Sequence, residues 1–236
     1  YLFNRGVDKI EKRIHIVYGH FGSGKSEFSI NYGLYLSKYF EKVAICDLDI
    51  INMYFRVREK TVLLEENSIE VYSSSRGHQD VLDLPALDPS ILKPIQDKSY
   101  QAILDLGGDP KGALILRTYK QYLKDTENIF VINTNRPETA KVGDIIAYMK
   151  EIEAIAGVKT NVLINTSHML KSTSESDVLK GHAIVNEVSE KLNIEFRYDV
   201  CQKDIAKSLK NNPKISSDIK DKLFPINLYL REDWMS

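Results

Sequence analysis

The stretch Ile14-His15-Ile16-Val17-Tyr18-Gly19-His20-Phe21-Gly22-Ser23-Gly24-Lys25-Ser26 carries an apolar strand pattern into a glycine-rich turn ending in Lys-Ser. The spacing Gly19-x4-Gly24-Lys25-Ser26 is that of a phosphate-binding loop. Successive backbone N–H groups in such a turn form a concave nest for phosphate oxygens. Gly22 and Gly24 allow left-handed backbone angles and a close approach without a Cβ. Lys25 sets a point charge near the β- and γ-phosphates, and Ser26 offers a hydroxyl to Mg²⁺. The helix that follows turns its positive end toward the anion. The expected nucleotide contacts are Gly19, His20, Phe21, Gly22, Ser23, Gly24, Lys25, Ser26 and Glu27.

Two acidic strand ends complete the expected site. Asp105 follows Ala102-Ile103-Leu104 and precedes Leu106-Gly107-Gly108-Asp109. An acid at the carboxyl end of an apolar strand is where the Mg²⁺ shell of a phosphate loop is held. Gly107 and Gly108 let the backbone pass close to a γ-phosphate. Val43-Ala44-Ile45-Cys46-Asp47-Leu48-Asp49 places two acids on one side of a pleat. Side by side and buried, such carboxylates repel and resist ionisation, a conflict that a metal-bound water network or Lys25 would relieve. Asp49, nearer the loop, is the candidate to orient an attacking water or accept a proton. Asp47 is a second catalytic candidate, or a metal-shell or structural partner. The expected metal set is thus Ser26, Asp47 and Asp105. Asn165 follows Val162-Leu163-Ile164, and its amide, donor and acceptor at once, suits the adenine edge. His15, His78, His168 and His182 show no metal-ligand spacing; Arg76 and His78, in a Ser-rich stretch, are candidates for a second-substrate site.

These residues require a scaffold of alternating strands and helices. Strands are expected over 13–19, 42–49, 69–74, 101–107, 127–134, 159–166 and 194–199. Their Val, Ile and Leu runs lack clean alternation, as in parallel strands covered on both faces. Amphipathic helices are expected over Ser26–Phe40, 138–156 and 175–192, with short ones at 55–66, 88–97, 111–124 and 204–210. Residues 75–90 and 167–177, rich in Ser, Gly, His and Asp, read as mobile loops. Residues 213–236 read as a tail docked on the body. The expected fold is a single three-layer α/β domain over 1–236, with a mostly parallel central sheet flanked by helices.

The bulk composition is that of an ordinary soluble domain. The 236 residues are 43% hydrophobic and 28% charged, with a formal net charge of -1 from Lys+Arg 32 against Asp+Glu 33. That balance argues against a dedicated nucleic-acid binder. Cys46 and Cys201 lie far apart, which fits reduced thiols in the cytoplasm rather than a metal cluster. No apolar run reaches membrane-spanning length, and no membrane partner is expected.

Taken together, the Gly-His-Phe-Gly-Ser-Gly-Lys-Ser loop, the Asp-Leu-Asp strand end and the Asp-Leu-Gly-Gly strand end resemble the MinD/ParA/Mrp branch of P-loop proteins, the SIMIBI class. That branch includes nitrogenase iron protein and the cobyrinic acid and dethiobiotin synthetases. The likeness runs from about Arg13 to about Ile215, and Asp47–Arg56 looks like a bacterial subgroup of ATP-binding proteins. It implies ATP with Mg²⁺ as cofactors. It also implies acidic motifs at Asp47, Asp49 and Asp105, an adenine contact at Asn165, and a last strand near Cys201 that borders the base. A nucleotide-sandwich homodimer is common in the class. His20, however, stands where the family's signature lysine reaches across to the partner's ATP, and a neutral imidazole lacks that permanent charge, which counts against the usual mode. Paired cluster-binding cysteines are absent.

The reading that follows is a Mg-dependent ATP hydrolase or ATP-driven switch. Alternatives are an ATP-dependent small-molecule kinase or ligase, like the synthetases, and a nucleotide-binding regulatory or assembly partner that does not hydrolyse. The lack of an Asn-Lys-x-Asp base-reading motif favours adenine.

Overall fold

Parallel strands buried on both faces account for the uninterrupted apolar runs. The computed structural model describes residues 10–49, 56–73 and 89–230, with only the backbone of Lys111. Among these, the strands are β1 (Ile14–Gly19), β2 (Val43–Asp47), β3 (Ile69–Ser73), β4 (Gln101–Asp105), β5 (Glu127–Ile132), β6 (Val162–Asn165), β7 (Glu195–Gln202) and β8 (Leu223–Ile226). They form one sheet in the order β3-β2-β4-β1-β5-β6-β7-β8, and every pairing is parallel. The described helices are α1 (Lys25–Leu36), α2 (Thr61–Glu66), α3 (Leu92–Gln96), α4 (Pro110–Ala113), α5 (Ile115–Tyr119), α6 (Val142–Ala156), α7 (Glu175–Leu192), α8 (Lys203–Asn211) and α9 (Ser217–Lys222).

Side chains of β1 alternate between two core layers. Ile16 and Tyr18 join Leu104, Phe130, Ile145, Met149 and Val185 on one face of the sheet. Val17 joins Phe28, Ile30, Tyr32, Leu36, Ile45 and Ile103 on the other. β2, β3 and β4 lie on one side of β1 and β5 to β8 on the other, so the region beyond the carboxyl end of β1 is a topological switch point, where open α/β sheets bind ligands.

Several expected boundaries shift, each for a local reason. The second strand ends at Asp47 rather than Asp49; Leu48 N makes the last bond to β4, donating to Asp105 O at 2.9 Å. The helix expected over 138–156 divides at Lys141 into a short 3-10 turn at Pro137–Thr139 and then α6. That expected over 111–124 becomes α4, α5 and a 3-10 turn. Residues 167–177, expected to be mobile, are tied down: Ser167 Oγ accepts from Thr134 N at 2.9 Å, and the Ser174–Asp177 capping box starts α7. The stretch expected to be a docked tail contains α9 and the edge strand β8. Residues 74–88, which include Arg76 and His78, lie outside the described residues, as do 50–55. Cys46 and Cys201 are both buried free thiols. No described helix is long and apolar enough to cross a membrane.

Candidate nucleotide site

Helix α1 begins without a side-chain cap. Its N-cap is Gly24 at φ 86°, following Gly22 at φ 71°, so the loop makes two left-handed turns that favour glycine. The first-turn N–H groups, which a Ser or Asp cap would otherwise satisfy, are left to a ligand. The loop's carbonyls are tied back to the scaffold. Gly22 O accepts from Asn133 Nδ2 and Arg136 Nε, each at 3.3 Å, and Ser23 O accepts from the Thr166 hydroxyl. Because a trans peptide sets C=O and N–H on opposite sides, holding the Ser23 carbonyl at Thr166 turns the Gly24 N–H the other way.

Lys25 is only 7% exposed, and its Nζ donates to His20 O at 3.2 Å. Burial pulls its pKa down, while the negative charges of Asp105, Asp49 and Asp109 oppose that shift. Asp105 lies under the loop: it accepts from Ser26 Oγ at 2.6 Å and from Ser29 Oγ at 2.9 Å. Burial, reinforced by Asp47, pushes the Asp105 carboxyl up to about 7 against the pull of Ser26, Lys25 and Ser29. Gly108 packs on the loop so closely that a Cβ there would lie 2.6 Å from Phe21 Cα and 2.9 Å from Lys25 Nζ.

One cavity of about 410 Å³ opens from this loop, a size usual for small-molecule sites. Phe21, Gly22, Gly24, Lys25, Ser26, Glu27 and Asp49 line one part of it, with Arg136, Thr166 and His168 beside them. Leu170, Val200, Cys201, Ile226, Leu228 and Leu230 make a mostly apolar wall, with Thr173 and Gln202 as polar members. The wall reaches into the segment after β8. That segment is strapped to α1 by two Asn31–Asn227 hydrogen bonds, at 2.9 and 3.0 Å, and by Glu27, which accepts from Tyr229 N and Leu230 N.

The structure brings Phe21, Gly22, Gly24, Lys25, Ser26, Glu27, Asp49 and Cys201 of the expected residues to one cavity and places others elsewhere. Asp47 does not line the cavity. Its Oδ1 accepts from Asp49 N at 3.2 Å and its Oδ2 from Arg58 Nε at 2.9 Å, so Arg58 compensates Asp47, while Asp49 lies within the charge field of Lys25. Asn165 is fully buried away from the cavity, with both amide protons in use, one on Val178 O at 3.1 Å and one on Asp199 Oδ1 at 2.7 Å; the partner across the β6–β7 register takes the place of an adenine edge. His20 stays at the loop's outer side: Nδ1 meets Phe21 O at 2.9 Å, and the ring packs edge-on to Tyr148 at 5.0 Å. Glu27 holds the strap as well as lining the cavity. Gly19 and Ser23 lie beneath the loop rather than on the cavity wall.

Ser26, Asp105 and Asp49 offer hard oxygen donors near the start of α1. No group of three or more His, Cys, Asp or Glu that would cage a metal occurs among the described residues. That donor set fits Mg²⁺, which keeps waters and binds through one or two carboxylates and its ligand's phosphates.

No protein-family model matches this sequence, and no curated protein matches it. Solved structures share the fold. FtsY from Thermotoga maritima, a cell division protein, aligns with a TM-score of 0.55 at 14% identity, over 78% of this chain and 60% of its own. FtsY from Mycoplasma mycoides gives 0.52 at 19%, over 78% and 59%. The signal recognition particle receptor FtsY from Elizabethkingia anophelis, in complex with GDP, gives 0.51 at 14%, over 78% and 56%. The chain therefore spans less than two thirds of each of these proteins. At such identities the likeness establishes an α/β P-loop NTPase-like fold.

No sequence motif marks Asn133, Arg136 or Thr166, and His168 stands in the sequence only as a histidine without metal-ligand spacing. A signal existed: Asn133–Arg136 follow directly on the carboxyl end of β5, and β5 is the neighbour of β1.

Proposed function

We propose that the protein binds Mg-ATP and hydrolyses it slowly, acting as an ATP-driven switch. The observation that carries this reading is the shared cavity, with Lys25 and the uncapped start of α1 at one end and an apolar wall at the other. Polyphosphate suits the first and a purine the second. The GDP bound to one fold neighbour supports the ligand class. The motifs Gly19–Ser26, Asp47–Asp49 and Asp105–Gly108 support placement in the MinD/ParA/Mrp branch.

The donor and acceptor set favours adenine. Gln202 Nε2 donates to Leu170 O at 2.8 Å, which leaves its carbonyl oxygen as a single acceptor, enough for the N6 amine of adenine. The neighbouring N1–H and N2 amine of guanine would together ask for a carboxylate. The acids lining the cavity are Asp49, beside Lys25, and Glu27, whose oxygens accept the strap N–H groups.

In this reading Lys25 and the amides of Gly24–Ser26 hold the phosphates, and Ser26 and Asp105 hold Mg²⁺. When bound, the ion supplies neutralising charge to the phosphate oxygens. Asp49, on the cavity wall, accepts a hydrogen bond from the attacking water at its carboxylate and so orients it. Calorimetric titration of the wild type with Mg-ATP and Mg-GTP, and of Lys25→Ala with Mg-ATP, tests the proposal. The expected result is preference for ATP and a loss of about 100-fold or more in the variant. Wild-type affinity in Lys25→Ala would end the reading.

A further inference from the structure

Lys25 faces three carboxylates, those of Asp105, Asp49 and Asp109. A nucleoside triphosphate would add several more negative charges at the same place, and the loop supplies no second lysine because residue 20 is histidine. The cavity does contain a second cation. Arg136, in the turn that leaves β5, lines the cavity beside Gly22, Gly24 and Lys25. Its Nε donates to Gly22 O at 3.3 Å, and its guanidinium lies flat enough on the loop that a Cβ on Gly22 would come within 2.7 Å of Nη2 and 2.9 Å of Cζ. Gly22 is therefore demanded twice, by its left-handed φ of 71° and by the arginine above it.

We propose that Arg136 is a phosphate-binding cation supplied by the same chain, working with Lys25 on the β- and γ-phosphates. This inference rests on the ATP reading and adds to it. Among the described residues, the guanidinium is hydrogen-bonded through Nε alone, which leaves the Nη fork for a ligand in the cavity that Arg136 lines. A planar fork matches phosphate oxygens in pairs, as an ammonium does not. The arginine is also held in place before any ligand arrives. Arg136 N donates to Asn133 O at 3.2 Å, Thr139 N to Arg136 O at 3.0 Å, and Thr139 Oγ1 to Asn133 O at 2.7 Å. Pro137 fixes the next backbone angle. Little ordering entropy remains to be lost on binding. A cation fixed in this way completes the phosphate site within one protomer, without a residue reaching across a dimer.

Arg136 also ties down the loop, so the test must separate charge from scaffolding. Wild type, Arg136→Ala, Arg136→Gln and Arg136→Lys are titrated with Mg-ATP, Mg-ADP and AMP, with thermal melting as a check on folding. The expected result is a loss of about 10- to 100-fold toward ATP and ADP in the Ala and Gln variants, with AMP changed by about twofold or less. The lysine variant should recover part of the loss, and millimolar guanidinium should partly rescue Arg136→Ala. An equal loss for all three nucleotides, or no loss, would overturn the inference while leaving the ATP reading intact. Failure of the wild type to bind any nucleotide would overturn the ATP reading itself, and the inference with it.

Discussion

The same central strands carry charged side chains at both ends, and the two ends obey opposite electrostatics. At the amino edge of the sheet, His15 of β1 donates to Glu127 of β5 at 2.8 Å and meets Gln101 of β4 at 3.2 Å. Arg197 of β7 pairs with Glu127 and also holds Glu195 through two bonds, at 2.7 and 3.1 Å. Arg197 reaches this group because β7 is irregular there: Phe196 pairs with Leu163 and Tyr198 with the next residue, Ile164, so Arg197 is the extra residue of a bulge that re-aims its side chain. Burial pushes the Glu127 carboxyl up, but His15 and Arg197 outweigh it and the group is held low.

At the carboxyl edge the balance reverses. There burial wins, raising Asp105 and lowering Lys25 although the two lie close together. The first cluster is closed on itself and contributes to the fold. In the second, Lys25 and Asp49 line a cavity. The supply of matched partners differs between the two ends.

The largest effect should come from breaking the closed end. Glu127→Gln would leave the buried Arg197 with Glu195 as its remaining carboxylate and cost about 2–3 kcal/mol in urea unfolding at neutral pH. Nucleotide affinity of the folded fraction should be unchanged, and a parallel fall in affinity would show the two ends to be coupled. The pH dependence follows from the sign of the shift. Because Glu127 is held below its ordinary value, its contribution is complete above that value and is lost as the pH falls through the lower native one. Acid should therefore erode wild-type stability more than that of the variant.

Asp105→Asn sharpens the other side of the comparison with a smaller effect. A carboxyl raised to about 7 in the folded state costs stability progressively as the pH rises from its ordinary value through 7. The amide is free of that cost, so without ligand the variant should match or exceed the wild type in melting temperature, by a margin that grows toward alkaline pH. The Mg²⁺-dependent part of nucleotide affinity should disappear in the same protein. A variant less stable than the wild type at alkaline pH would show that Asp105 is instead well satisfied by Ser26 and Ser29.

The smallest effect is expected at the strap. Glu27→Ala removes the acceptor for two backbone N–H groups and should loosen residues 227–230 by about 1–2 kcal/mol. Limited proteolysis should find that segment cut sooner, with nucleotide affinity only a few-fold weaker. Proteolysis unchanged from the wild type would mean that the Asn31–Asn227 pair suffices.

The loop and Asp105 were legible in the sequence because each depends on neighbours a few residues away: glycines at fixed spacing, or an acid closing an apolar run. The α/β alternation was legible for the same reason. Asp47 was not, because the partner that neutralises it, Arg58, lies eleven residues on. Asn165 shows the limit most clearly. A strand-end amide can serve a base or a carboxylate, and the parallel register that sets it opposite Asp199 decided the matter. Arg136 and the strap meet the loop and its helix across 114 and about 200 residues of chain, distances over which no local pattern carries information.

What the sequence determined by itself is a glycine-rich turn between strand and helix that can cradle an anion, set in a scaffold of parallel strands. Only the tertiary structure decided which carboxylates face Lys25, which is neutralised by an arginine, and that a second cation and an apolar strap close the same cavity. The physical reason is range. Backbone conformation and capping are settled over a few residues, whereas charge compensation and burial depend on strand order and register, which bring together groups the chain keeps far apart.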